Sequence, residues 1–260
     1  MAGEFYGRDQ VTPATGSGVT VQELYDLLRK VWCADTCAPR MRPDWTPENP
    51  TLGQCSVTAF LVQDLLGGEV YGIPLEDGSI HCYNRVGEAV FDLTSEQFGD
   101  RALSYEENPL QQREVHFSKA EKLARYRLLR TRLMGELAVW LKHHGANCCQ
   151  AVLSAYGDQL SLSDALLRKI GAGFGVGMGC MEATCGALCA AQMILGLRSY
   201  EGKPVLRPAA ELHRAFTEKC GACLCRDLKG RDTGVVVCEC DDCVRRAVEV
   251  IEEAGLFVRV

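Results

Sequence analysis

No stretch of this chain approaches the run of apolar residues needed to cross a bilayer, and its opening, MAGEFYGRDQ, lacks the apolar core of a secretory leader. Basic residues are also in short supply. Twenty-eight Lys and Arg against 34 Asp and Glu leave a net charge of −6, which argues against nucleic acid as the main partner. A dinucleotide fingerprint is missing too: GAGFGVGMG, residues 171–179, fits G-x-G-x-x-G in no register and follows a helical segment rather than a strand. With 47% hydrophobic and 24% charged residues, the chain reads as a globular protein with no membrane segment. Its expected location is cytoplasmic.

Cysteine, by contrast, is abundant. Eleven of the 15 fall between Cys148 and Cys243, and six of those lie within 24 residues, from Cys220 to Cys243. Isolated thiols such as Cys33 or Cys82 are explained by packing as small hydrophobes, but clusters are not. In a reducing compartment such clusters read as metal, iron–sulfur or redox sites rather than as structural disulfides. The 260 residues are enough for two domains, expected at 1–133 and 134–260.

The first half reads as α/β. Thr20 and Glu23 form a capping box for an amphipathic helix bearing Leu24, Leu27, Leu28 and Val31. After a proline-rich coil, a second helix starts near Gln54 and stops at Gly67–Gly68. Three strands follow, 69–75, 79–86 and 89–93, joined by an Asp77–Gly78 hairpin and a turn at Gly87, with Thr94 and Gln97 capping a short helical turn.

This order places Cys55 at a helix start, where free N–H groups and the dipole favour a thiolate. His81 lies on the second strand and Asp92 on the third. Papain-like and transglutaminase-like enzymes use this arrangement, in which imidazole deprotonates thiol and carboxylate fixes the imidazole tautomer. The trio shares a site only if the strand register turns His81 and Asp92 the same way. Otherwise Cys55 is a buried helix thiol, His81 a hydrogen-bonded sheet residue and Asp92 a turn cap. Asn84 is a weaker candidate for the orienting role.

The strings NPTLGQCSVTAFLVQDLLGGEV and IHCYNRVGEAVFDLTSEQF resemble the YunG-like family, as does the later REVHFSKAEKLARYRLLRTRL. The likeness covers roughly residues 20–133 and implies a discrete domain.

The second half reads as helical. Ser118 and Glu121 cap a long helix that Gly145 ends, and further helices are expected at 147–156, 161–170 with Ser161 and Asp164 at its start, 184–195, 208–218 and 241–254. The glycine-rich run between them suits a loop whose backbone approaches something closely. Cys185 and Cys189 stand one turn apart, beside that loop and its Cys180. Cys220-x2-Cys223 and Cys240-x2-Cys243, 16 residues apart, have the spacing of a zinc ribbon. Cys225 and Cys238 are then left over, and point instead to a redox pair or to a larger cluster sharing Cys180 and Cys189 with the helices.

NCCQAVLSAYG, GFGVGMGCMEATCGALCAAQMILGL and CLCRDLKG with CDDCVRRAVEVIEE resemble the C_GCAxxC family, described as redox-active, over roughly residues 134–260. The resemblance implies that Cys148, Cys185, Cys225 and Cys243 carry the cofactor, an iron–sulfur cluster, with zinc as the alternative. It also marks Cys149, Cys180 and Cys189 as additions where small residues are expected. His143 and His144 read as a helix C-terminal cap rather than as ligands.

The fold class that follows is α+β: an α/β domain with a small antiparallel sheet, then an all-α cysteine-rich domain. The leading expectation is a redox or electron-transfer protein with a thiol redox or electron-transfer partner. The alternative is a hydrolase or acyltransferase acting through Cys55, His81 and Asp92, with the second domain a zinc or regulatory module.

Overall fold

The computed structural model describes residues 4–10 and 13–257. The chain divides into two compact units between Arg130 and Thr131. The architecture is α+β, with the sheet confined to the first unit and the second entirely helical.

In the first unit, α1 (Val21–Val31) opens with the expected capping box, Thr20 and Glu23 each satisfying the other's backbone N–H. Its buried face carries Val21, Leu24, Leu27, Leu28 and Val31, each worth about 1.5–3 kcal/mol of transfer free energy. The second helix, α2 (Cys55–Leu66), is buried nearly all round and packs on the sheet, ending at Gly67 with φ 72°. Strands β1 (Glu69–Pro74), β2 (Ile80–Val86) and β3 (Ala89–Phe91) form one antiparallel sheet in that order. The β1–β2 turn is held by Asp77 Oδ1, which accepts from the Ser79 N–H at 2.9 Å.

A short helix, α3 (Arg113–Phe117), precedes the long α4 (Ala120–His143). Ser118 closes α3 rather than opening α4: its hydroxyl donates to the Val115 carbonyl at 2.8 Å. Asn84 is also reassigned. Its amide donates to the Ala59 carbonyl at 2.8 Å, so it ties β2 to α2 instead of orienting a catalytic histidine.

The second unit is built around α5 (Cys148–Ala155), α9 (Gly186–Ser199) and α12 (Cys240–Glu253), which pack on one another. Around them lie α6 (Gly157–Leu160), α7 (Asp164–Gly171), α8 (Gly175–Met178), α10 (Leu206–Cys220) and α11 (Cys225–Leu228). α5 begins with a second capping box, formed by Asn147 and Gln150. α7 starts two residues later than the sequence suggested: Ser163 is its cap, while Ser161 takes a left-handed conformation at the end of α6. Among the described residues, no helix is long and apolar enough to cross a membrane.

Candidate functional sites

The register of β2 and β3 settles which way Asp92 faces. Asn84 pairs with Phe91, so continuing the ladder sets Asp92 opposite Tyr83, on the same face as His81 and one diagonal step away. The two side chains meet: His81 Nε2 and Asp92 Oδ2 are 2.5 Å apart, and both residues are 1% exposed. The carboxylate is fully engaged. Tyr105 donates its hydroxyl to Oδ2 at 2.9 Å, while the Thr94 N–H and hydroxyl donate to Oδ1 at 2.9 and 3.0 Å. Thr94 therefore serves Asp92 rather than capping the following turn with its side chain. The edge of the Phe98 ring closes over the imidazole, with centroids 4.6 Å apart.

With Nε2 committed to Asp92, the other ring nitrogen, Nδ1, is buried without a hydrogen-bond partner among the described residues, and the Cys55 thiol is an electrostatic neighbour of the ring. Burial alone would lower the His81 pKa, but the Asp92 charge and hydrogen bond, reinforced by Cys55, raise it to about 10. Cys55 moves the other way. A hydrogen bond from the Cys82 thiol, followed by the interaction with His81, outweighs desolvation and holds Cys55 well below the ordinary thiol value. The backbone N–H of Cys82 adds to this. The three expected residues thus come together, His81 against Asp92 and Cys55 beside the ring.

Two neighbours had escaped the sequence reading. Cys82, expected to be a packing thiol, is the principal hydrogen-bond donor to Cys55. His116, assigned nothing, lines the same pocket and accepts at Nδ1 from the Lys122 ammonium at 3.0 Å. The pocket measures about 920 Å3, and Cys55 and His81 lie in its wall. Nothing local hinted at the first, since alternation along β2 turns Cys82 to the face opposite His81. The second depends on how α3 and α4 pack against α2.

In the second unit the sulfurs converge. Cys148, Cys185 and Cys225 are close enough to interact electrostatically, and Cys185 is hydrogen-bonded to Cys243. The four positions implied by the family resemblance are therefore neighbours. Desolvation raises the thiol pKa of Cys148 and of Cys225, while at Cys185 the hydrogen bond with Cys243 leads and burial follows. Two glycines, Gly177 in the glycine-rich loop and Gly186 at the start of α9, make this possible. A β-carbon at Gly186 would sit 2.7 Å from Cys148 Sγ, and one at Gly177, where φ is +55°, would lie 2.6 Å from Cys225 Cβ.

The zinc-ribbon set divides differently from its spacing. Cys220, Cys238 and Cys243 lie together, their sulfurs all within 4.8 Å of one another. Cys240 instead neighbours Cys148 and Cys225. Cys223 is drawn off because residues 183–185 and 223–225 run side by side, with Cys185 N–H donating to the Cys223 carbonyl at 2.8 Å and Cys225 N–H to the Ala183 carbonyl at 3.0 Å. That bridge prevents the 220–223 segment from folding as an independent knuckle.

Cys180 is exposed and points to the Gly177 carbonyl. Cys185 caps α9 from outside the helix, so it and Cys189 do not share a helical face: Cys185 turns to Cys243, and Cys189 to the Thr184 carbonyl. Cys149 and Cys189 remain electrostatic neighbours. Lys229 places its ammonium 3.8 Å from Cys243 Sγ and 2.7 Å from the Cys238 carbonyl. His143 pairs with Asp241 at 2.9 Å and His144 stacks on Trp140, so both are occupied away from the sulfurs.

Residues 20–138 match the family described as "YunG protein", and residues 146–254 the one described as "Putative redox-active protein (C_GCAxxG_C_C)". The Uncharacterized protein YunG of Bacillus subtilis (strain 168) is 37% identical over 96 residues, which cover 37% of this chain and 77% of that protein. No solved structure gives a significant match. The likeness to the Bacillus protein, together with the match over residues 20–138, establishes that the chain belongs to the YunG family, and residues 146–254 are similar to the second family.

Proposed function

We propose that this chain is a thiol-based redox protein whose second unit holds an iron–sulfur cluster or metal ion on Cys148, Cys185, Cys225 and Cys243, exchanging electrons with a thiol or electron-transfer partner. The observation that carries this reading is the convergence of buried cysteines from α5, α9, α11 and α12 onto one region lined by glycine. The donor set fits. Thiolates are the preferred ligands of iron–sulfur clusters and of zinc, and a tetrahedral zinc thiolate has sulfurs roughly 3.8 Å apart. The sulfurs of Cys220, Cys238 and Cys243, within 4.8 Å of one another, need little movement to reach that spacing, which keeps zinc as the alternative occupant.

Bound there, a cluster would supply one-electron transfer. The chain's own contribution is to bury the thiols, exclude water from them and set Lys229 beside Cys243 and the Cys238 carbonyl as a fixed positive charge. Anaerobic purification with visible spectroscopy and metal analysis tests the reading. The expected protein is coloured and contains iron and sulfide, and Cys185→Ser bleaches it, because a hydroxyl is a poor ligand for a soft metal site. Colourless protein with stoichiometric zinc would overturn the iron–sulfur assignment.

A second reading rests on an independent observation in the first unit. A cysteine next to a histidine that is itself buried against a carboxylate, opening on a pocket of about 920 Å3, suits nucleophilic attack on a carbonyl, as in a hydrolase or acyltransferase. Iodoacetamide should alkylate Cys55 fastest among the chain's thiols, and His81→Ala should slow it. Slow labelling indifferent to His81 would leave Cys55 a structural thiol.

A further inference from the structure

The pocket beside Cys55 is lined by two lysines, the exposed Lys119 and the half-buried Lys122. Its arginines are already matched: Arg40 pairs with Asp77 at 3.0 Å, Arg101 with Glu76 at 3.5 Å, and Arg125 with Glu121 at 2.5 Å. Lys122, half-buried in the same wall, has no carboxylate partner among the described residues. Its ammonium donates to His116 Nδ1, at 3.0 Å. His116 is in turn held through Nε2 by the Gln111 side-chain oxygen, at 3.0 Å.

This chain of contacts fixes the proton positions. Gln111 accepts through its oxygen, so His116 Nε2 carries the proton and Nδ1 is the acceptor, which the ammonium satisfies with one of its three N–H groups. Two donors on Lys122 remain, on a side chain whose electrostatic neighbours include Cys55 and Cys82. Two basic groups packed together without a counter-ion disfavour each other's charge. Burial and then Lys122 lower the His116 pKa to about 4, and burial lowers that of Lys122 as well.

We propose that Lys122, steadied by His116 and Gln111, is the anchor for a carboxylate on the substrate that Cys55 attacks. The proposal rests on the nucleophile reading of Cys55 and adds a substrate class to it. A carboxylate suits Lys122: its ammonium offers two free donors to a single charge, the second lysine of the wall, Lys119, is exposed, and the arginine forks that favour phosphate are paired with Asp77, Glu76 and Glu121. No new bond is implied at Lys122. It orients the substrate and balances its charge.

Two probes test this on the full chain. The first compares alkylation of Cys55 by iodoacetate, which carries a carboxylate, and by neutral iodoacetamide, read by peptide mass spectrometry. The iodoacetate-to-iodoacetamide ratio for Cys55 should exceed that of a free peptide thiol by roughly fivefold to tenfold, in line with one charge-assisted contact. Lys122→Met should return the ratio to the peptide value, and Lys122→Arg should retain part of it. The second probe does not depend on Cys55 reactivity. Succinate titrated into the protein should raise the His116 imidazole pKa, followed by NMR, and should fail to do so in Lys122→Met. A Cys55 that reacts fast with iodoacetamide but shows the peptide ratio, with His116 indifferent to succinate, overturns the carboxylate anchor while sparing the nucleophile. Slow iodoacetamide labelling unaffected by His81→Ala removes the nucleophile reading, and the proposal as stated goes with it.

Discussion

Asp92→Asn is the substitution whose consequences follow most directly from the geometry. Both carboxylate oxygens face donors: Oδ1 takes the Thr94 N–H and hydroxyl, and Oδ2 takes Tyr105 and His81. Pointed at Thr94, an asparagine NH2 group faces a backbone N–H, a buried donor against a donor at about 1–3 kcal/mol; pointed the other way, it requires Tyr105 and His81 to accept, and the imidazole gives up its proton at Nε2. The larger effect is on charge. The interval from 6.5 to about 10 in the His81 pKa corresponds, at about 1.36 kcal/mol per unit, to about 5 kcal/mol. That figure is a net effect, since Asp92 and Cys55 together also offset the burial that lowers the His81 pKa. Breaking a buried pair by removing one partner costs about 3–5 kcal/mol, and we expect the first unit to lose about that much.

Because the folded-state pKa of His81 is raised, its contribution is complete below pH 6.5 and is lost as pH rises through about 10. The gap between wild type and Asp92→Asn, measured by urea denaturation at several pH values, should therefore be widest near pH 6.5 and narrow towards and above about pH 10, to the part that the lost hydrogen bonds contribute. The same variant should move the acid limb of the Cys55 alkylation profile upward, towards an ordinary thiol near pH 8.5. A variant within 0.5 kcal/mol of wild type at every pH, with an unmoved alkylation profile, would refute the ion-pair reasoning.

Two further outcomes are expected. Cys82→Ala should shift the Cys55 alkylation profile to higher pH, because it removes the main donor to the thiolate, while leaving the backbone N–H contribution in place; an unchanged profile would mean that His81 alone sets the Cys55 pKa. Gly186→Ala should destabilise the second unit by about 1–3 kcal/mol and lower its metal content, since the added carbon would fall 2.4 Å from the Phe174 carbonyl oxygen and 2.7 Å from Cys148 Sγ; unaltered metal stoichiometry would show that the loop tolerates the carbon.

Much of the first unit was legible because its signals are local. The Thr20–Glu23 box, the Asp77–Gly78 turn and the stop at Gly67 are each decided within a few residues, and all three appear where the sequence puts them. The Cys55–His81–Asp92 candidates could be picked out by residue type, but their meeting depends on a strand register that only the assembled sheet fixes. His116 and Lys122 were invisible, because their roles come from α3 and α4 packing against α2 and meeting at the pocket. In the second unit, spacing misdirected the zinc-ribbon grouping. A two-residue gap is compatible with a knuckle, yet the Thr184–Leu224 bridge commits Cys223 elsewhere, and nothing local to 220–223 announces that bridge. The Ser161 start failed for a similar reason: two serines stand two residues apart, and the left-handed end of α6 takes the first.

Asn147 has a consequence for how the second unit acquires its cargo. Its side-chain oxygen caps α5 by accepting from the Cys149 and Gln150 N–H groups, and its amide donates to the Gly171 and Ala172 carbonyls at 3.1 Å each. One residue thereby pins the start of the helix bearing Cys148 to the end of α7, where the glycine-rich loop begins, using protein hydrogen bonds alone. Small zinc modules depend on the ion to fold, so loading and folding are one event for them. Here the scaffold is assembled by amides and packed helices, so the two events are separable: a chelator should strip the sulfurs and leave the helices standing, and a donor protein could load the site without unfolding it.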